Sequence, residues 1–228
     1  LYYASFEDYF GYAPDLAYGR IPVRTPEQAD TVIDKIILFE KDPPVNASFY
    51  DRALTAAYFQ DNNNNGIADR RFAETAYEIG EHLEAQGYTV DRIFTTPAEV
   101  TPQRWNTGDY SDGDAIPAEL EKPGFPWTGS TQNIYDALNA GRFMALHRDH
   151  AGIEGWGDPQ FLNAHVELLN NGQLLPVIFS INCESGHFDA VTEMNGDEFV
   201  CFAESALRHD KGGAVAVIAA SQVSYSGN

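Results

Sequence analysis

Two short stretches carry the residue types that covalent chemistry needs. One is Leu146-His147-Arg148-Asp149-His150-Ala151-Gly152, and the other is Ser180-Ile181-Asn182-Cys183-Glu184-Ser185-Gly186. A thiolate is a strong nucleophile, and an imidazole beside it can hold the thiol proton or stabilise the charge on sulfur. Backbone N–H groups in the turns that follow are suited to receiving a developing oxyanion. A free cysteine taken alone is as often a packed, inert thiol. Cys183 differs in closing an apolar run and in being followed by polar and small residues. Cys201 sits beside Phe199, Phe202 and Ala203 and reads as packing, although a Cys183–Cys201 disulfide is open to a chain with two cysteines. His147 competes with His150. Its simpler reading is a strand-end histidine satisfied by the core, and a metal pair with Asp149 or His150 lacks a third ligand at a matching spacing. His187 lies so close in sequence to Cys183 that the two side chains rarely converge across a site, which ranks it below His150.

These residues must be positioned by an alternation of strands and helices, which favours an α/β fold with a mostly parallel sheet. Thr25-Pro26-Glu27-Gln28 is a helix start, followed by Ala29, Val32, Ile33, Ile36 and Ile37 at helical spacing and ended by Asp42-Pro43-Pro44. Ala53 to Gln60 reads as a strand, and Phe72, Ala76, Ile79 and Leu83 as a helix closed by Gly87. Val90 to Phe94 is a short strand and Ile134 to Leu138 a short helix. Between them, residues 96–130 are rich in Pro, Gly, Asp and Trp, long for a loop, and read as an insertion or lid. Arg142 to His147, Leu174 to Asn182 and Gly213 to Ala220 are near-continuous apolar runs, as suits strands buried on both faces. Helices are expected from about Pro159 to Leu169 and from Glu198 to Arg208. In open α/β sheets, sites form beyond the carboxyl ends of the strands. His150 and Cys183 are therefore expected on one edge.

Composition narrows the partners. The chain has 228 residues, enough to bury a core without staples. Its 34 acidic against 14 basic residues give a formal charge of -20, which argues against nucleic acid and anionic membranes. No apolar run is long enough for a transmembrane helix. The first residue is not Met and no leader is visible, so the chain is read as one domain over 1–228 or a piece of a longer polypeptide. The segment from Asp61 to Asp69 mimics the first half of a calcium loop: Asp61, Asn63, Asn65, the Ile67 carbonyl and Asp69 alternate, with Gly66 sixth. Phe72 stands where the bidentate Glu would be, and an Asn-rich turn bonding its own backbone explains the same composition.

The ordered set of motifs resembles the gingipain-type cysteine peptidases. It comprises Pro14 to Val23, Phe39-Glu40-Lys41, His147 to Gly152, Gly155-Trp156-Gly157-Asp158-Pro159, Val177 to Cys183 and Gly212 to Ser221. The resemblance implies a caspase-like, three-layer αβα sandwich, secretion by bacteria to the extracellular space or cell surface, and protein or peptide substrates. It implies His150 as catalytic histidine and Cys183 as nucleophile. The oxyanion hole would fall to the amides of Ala151, Gly152 and Cys183, with Ala151 standing where the family usually has Gly. It implies a carboxylate that orients the histidine, for which Asp69 and Glu74 are candidates, although acids in a first helical turn are favoured by the helix dipole anyway. It also suggests cleavage after basic residues, with no acidic pocket floor identified. No cofactor is expected for catalysis, and calcium, if bound, is structural. The alternatives are an inactive or transpeptidase-like cell-surface member of the same scaffold, and a calcium-binding surface module.

Overall fold

The computed structural model describes residues 19–106, 112–189 and 199–225. The chain opens with α1 (Pro26–Lys41), capped by the Thr25 side chain, which accepts from the Gln28 amide. A single turn, α2 (Ala47–Tyr50), leads into β1 (Arg52–Tyr58). Then come α3 (Phe72–Ala85) and β2 (Thr89–Thr95). A short antiparallel pair, β3 (Arg104–Asn106) and β4 (Asp112–Ala115), precedes α4 (Thr131–Asn139). The first catalytic-type stretch follows β5 (Met144–Arg148), and the chain then makes a small antiparallel meander of β6 (Ala151–Gly152), β7 (Gly155–Trp156) and β8 (Phe161–Leu162). After α5 (Asn163–Val166) come β9 (Val177–Ile181), α6 (Phe202–Arg208) and β10 (Ala216–Ala219).

Five strands form one sheet in the order β10-β9-β5-β1-β2, with every neighbouring pair parallel. The interior strand β1 shows why apolar runs predict such a sheet. Leu54 and Ala56 pack on one face while Ala57 packs on the other, and all three are fully buried. The first face is covered by α4, α5 and α6 through Ile134, Leu138, Val166, Phe202 and Ala206. The second is covered by α3 through Ala73 and Ala76, and by the 96–130 segment, which buries Trp105, Ile116, Leu120 and Trp127 there. The expected three-layer αβα arrangement is what results. Helix α1 docks outside α6, where buried Lys35 donates to the Leu207 carbonyl at 2.8 Å and closes that helix's end.

The helix expected from Pro159 to Leu169 is instead the strand β8 followed by the single turn α5. Phe161 supplies an apolar position of the apparent helical spacing, yet it packs tilted against Trp156 from the meander, with ring centres 5.8 Å apart. Helix α4 starts earlier than its apolar spacing suggested, because Ser130 and Asn133 form a reciprocal capping box. Helix α6 begins at Phe202; the expected start at Glu198 lies outside the described residues.

Candidate functional site

Strands β5 and β9 are neighbours, and their register sets Arg148 opposite Ile181. His150 and Cys183 each lie two positions beyond those partners, at the same level of the same sheet edge. Adjacent strands run about 4.8 Å apart. Both side chains line one cavity of about 460 Å³, shared with Arg70, Phe72, Arg148 and Tyr225. The cavity thus sits where open parallel sheets place their sites.

Cys183 is half-buried and its thiol is free; it donates to the Ser224 carbonyl at 3.4 Å. The turn behind it is fixed by the chain that leaves β10: the Glu184 amide donates to the Gln222 carbonyl and the Gly186 amide to the Ala220 carbonyl. Glu184 has φ 54°, a left-handed backbone that a glutamate adopts only when its surroundings demand it. His150 is exposed, with Phe72 edge-on to its ring at 5.1 Å. Its Nε2 lies 3.0 Å from Gln60 Oε1. In the tautomer where Nε2–H donates to that oxygen, Nδ1 keeps the lone pair that can take a proton. Partial burial lowers the pKa of His150 first, and the Arg70 and Arg148 guanidiniums lower it further against an opposing pull from Asp158. The imidazole is therefore neutral at pH 7 and able to act as a base. Ala151 lies in the extended pairing of β6 with Trp156, where a methyl is tolerated, and a side chain at Gly152 would meet only open space.

The two candidate acids each have a partner of their own. Glu74 pairs with Arg71 at 2.7 Å, and Asp69 Oδ2 accepts the Asn62 amide at 2.7 Å. In the same loop Asp61 accepts the Asn65 and Gly66 amides at 3.2 and 2.8 Å, and Asn65 accepts the Ile67 amide at 2.9 Å. Those are the bonds of a turn closed by its own side chains; calcium at Asp61, Asn63, Asn65, Ile67 and Asp69 rests on their spacing. Among the described residues, no three His, Cys, Asp or Glu side chains cluster as metal ligands.

A polar network beneath the cavity was not read from the sequence. His147 is fully buried and stacked on Trp156, with ring centres 4.6 Å apart and planes 2° from parallel. Its Nδ1 accepts from Asn182 Nδ2 at 2.8 Å, which leaves Nε2–H facing the Asp158 carbonyl at 3.3 Å. Burial pushes its pKa down to about 3, so it stays neutral and structural. Asn182 Oδ1 accepts from Ser185 at 2.6 Å, and Ser180 Oγ accepts from the Trp156 indole N–H at 2.8 Å. At the other end the Asp158 amide donates to Asp149 Oδ2 at 2.7 Å. One continuous network thus joins the residue before Cys183 to the residue before His150. Burial raises the pKa of Asp149 to about 7. His187 is buried, with its Nε2 3.3 Å from an Asp189 oxygen. Cys201 is buried and in no disulfide, and burial pushes its thiol up to about 12, as suits a packing residue. Gln60 lies two positions past the end of β1, at the strand end where sites form, but its residue type gave no chemical signal of its own.

Comparisons with known proteins agree with this architecture. The profile described as Peptidase family C25 matches residues 1–228. Gingipain R2 of Porphyromonas gingivalis is 35% identical over 207 residues, a stretch covering 88% of this chain and 23% of that protein. Lys-gingipain of the same species is 25% identical over 228 residues, covering 100% of this chain and 11% of that protein. The chain thus spans less than a quarter of the length of these relatives. Among solved structures, the Arg-specific cysteine proteinase gingipain R superposes with a TM-score of 0.62 at 24% identity, covering 89% of this chain and 39% of that one. That likeness concerns the fold, which is the caspase-like sandwich expected. With the family profile matching residues 1–228 of this chain, the chain belongs to peptidase family C25.

Proposed function

We propose that the chain carries the reactive centre of a cysteine endopeptidase. The observation that supports this most directly is that His150 and Cys183, from two neighbouring parallel strands, line one cavity at the carboxyl end of the sheet. In the proposed reaction His150 takes the thiol proton of Cys183, and the sulfur attacks the scissile carbonyl to give a tetrahedral oxyanion. The amides of Ala151, Gly152 and Cys183 are the proposed donors to that oxyanion. His150 then protonates the leaving amine, an acyl thioester remains on Cys183, and water hydrolyses it. Proteins and peptides are the proposed substrates, and the extracellular space or cell surface the proposed location. Among the described residues no helix is long and apolar enough to cross a membrane.

One observation favours a second reading, an unreactive scaffold: the Cys183 thiol is bonded to the Ser224 carbonyl and His150 to Gln60. Iodoacetamide labelling and peptide cleavage separate the two. The peptidase reading expects Cys183 to alkylate with a pH dependence that His150→Ala removes, and cleavage to vanish in Cys183→Ala with the fold kept. An unreactive Cys183, or full cleavage in Cys183→Ala, overturns it.

A further inference from the structure

We propose that the cavity beside Cys183 and His150 selects an acidic side chain, Asp or Glu, on the acyl side of the bond to be cut. The proposal rests on the peptidase reading and names its substrate class. Two guanidiniums line the cavity, those of Arg70 and Arg148. Both lie near enough to His150 to oppose its protonation through their charge. Arg148 is held in place from two directions: its guanidinium lies over the Phe72 ring at 4.9 Å, and Nη1 donates to the Ile181 carbonyl at 3.2 Å. A guanidinium has five N–H donors in a planar fork that matches a carboxylate. Holding that fork in place beforehand reduces the cost of ordering it on binding.

The neighbouring negative charge is muted. Among the described residues lining the cavity, Asp149 is the one carboxylic acid. It is 2% exposed, and its Oδ2 is engaged by the Asp158 amide. A cationic substrate side chain placed here would meet two like charges and a poorly available acid. This departs from the basic preference that the resemblance suggested.

The geometry also says which side of the cut bond the cavity serves. A second cleft of about 500 Å³ also borders His150, lined by Ile153, Glu154, Leu162, Glu184 and Phe199. It shares His150 with the first cavity, whereas Cys183 lines the first. The acyl group stays on the sulfur while the leaving amine takes its proton from the imidazole. The arginine-lined cavity is accordingly the acyl side, and the acidic cleft the leaving side.

The test is a set of peptides identical except at the residue before the cut: Asp, Glu, Asn, Gln, Ala, Arg and Lys. We expect kcat/KM for Asp or Glu to exceed that of the isosteric Asn or Gln by at least tenfold, since charge-assisted hydrogen bonds are roughly twice as strong as neutral ones. Arg and Lys peptides are expected to be the poorest, and the acid-to-amide ratio to fall in Arg70→Gln and in Arg148→Gln. Peptide aldehydes ending in Asp or Asn give the same ratio as inhibition constants of iodoacetamide labelling, without needing turnover. Equal or better use of amide or basic residues overturns the acidic selectivity and leaves the peptidase intact. No cleavage, no aldehyde protection and no alkylation of Cys183 overturn the peptidase reading and the selectivity with it.

Discussion

At the scale of single residues, the charge around His150 is the feature with the most direct chemical effect. Burial first, then the Arg70 guanidinium and after it that of Arg148, two positions before His150, hold the imidazole's pKa below its ordinary value. A nearby positive charge disfavours imidazolium, so removing it must raise the pKa. In Arg148→Gln the His150 ring signals are expected to titrate at higher pH by NMR, and the acid limb of Cys183 alkylation to move upward with them. A titration unchanged from wild type would show that the guanidinium is screened from the ring by solvent. The same pair of residues shows how far chemistry could be read from residue types. His150 and Cys183 were legible because each ends an apolar run in polar, small residues. Gln60, the actual hydrogen-bond partner of His150, was not, since glutamine carries no chemical signature of its own.

Among the elements, the loop from Asp61 to Asp69 is where side chains replace regular structure. Asp61 is buried and accepts two backbone amides, so Asp61→Ala is expected to cost about 1–3 kcal/mol in urea unfolding with no metal added. Calcium, proposed for the oxygens of Asp61, Asn63, Asn65, Ile67 and Asp69, adds a rise in Tm in millimolar Ca²⁺ over EDTA that Asn63→Ala abolishes. An unchanged Tm removes calcium and leaves the turn. The strands themselves were readable because burial on both faces leaves a compositional trace, as in Ala53, Leu54, Ala56 and Ala57. The two-residue strands β6, β7 and β8 leave none, and Phe161 and Val166 imitated a helix that the chain does not make. The network from Asn182 through His147 to Asp149 was equally hidden. It depends on the register of β5 against β9, a relation between distant segments that no local pattern encodes.

For the whole molecule, two buried groups tie stability to pH in opposite senses. His147 is held near a pKa of about 3 against its ordinary 6.5, so the folded chain binds fewer protons than the unfolded one, and stability falls as pH drops from about 6.5 towards 3. Asp149 is raised to about 7 from 3.8, so the folded chain keeps a proton that the unfolded chain releases; its contribution is complete below about 4 and is lost as pH rises through 7. Over the window from about 4 to 6.5 the two slopes oppose. Asp149→Asn removes the second, so the variant's Tm relative to wild type is expected to climb between pH 5 and pH 8 in a melting series. Parallel curves would mean that Asp149 is ionised throughout. The fold also contains its own optical gauge of the first group. The His147 ring lies flat on the Trp156 indole, and an imidazolium in that position quenches indole emission by drawing an electron from it. A fluorescence loss on acidification, absent in His147→Gln, would report the breach of the buried network in real time, without a dye or a label.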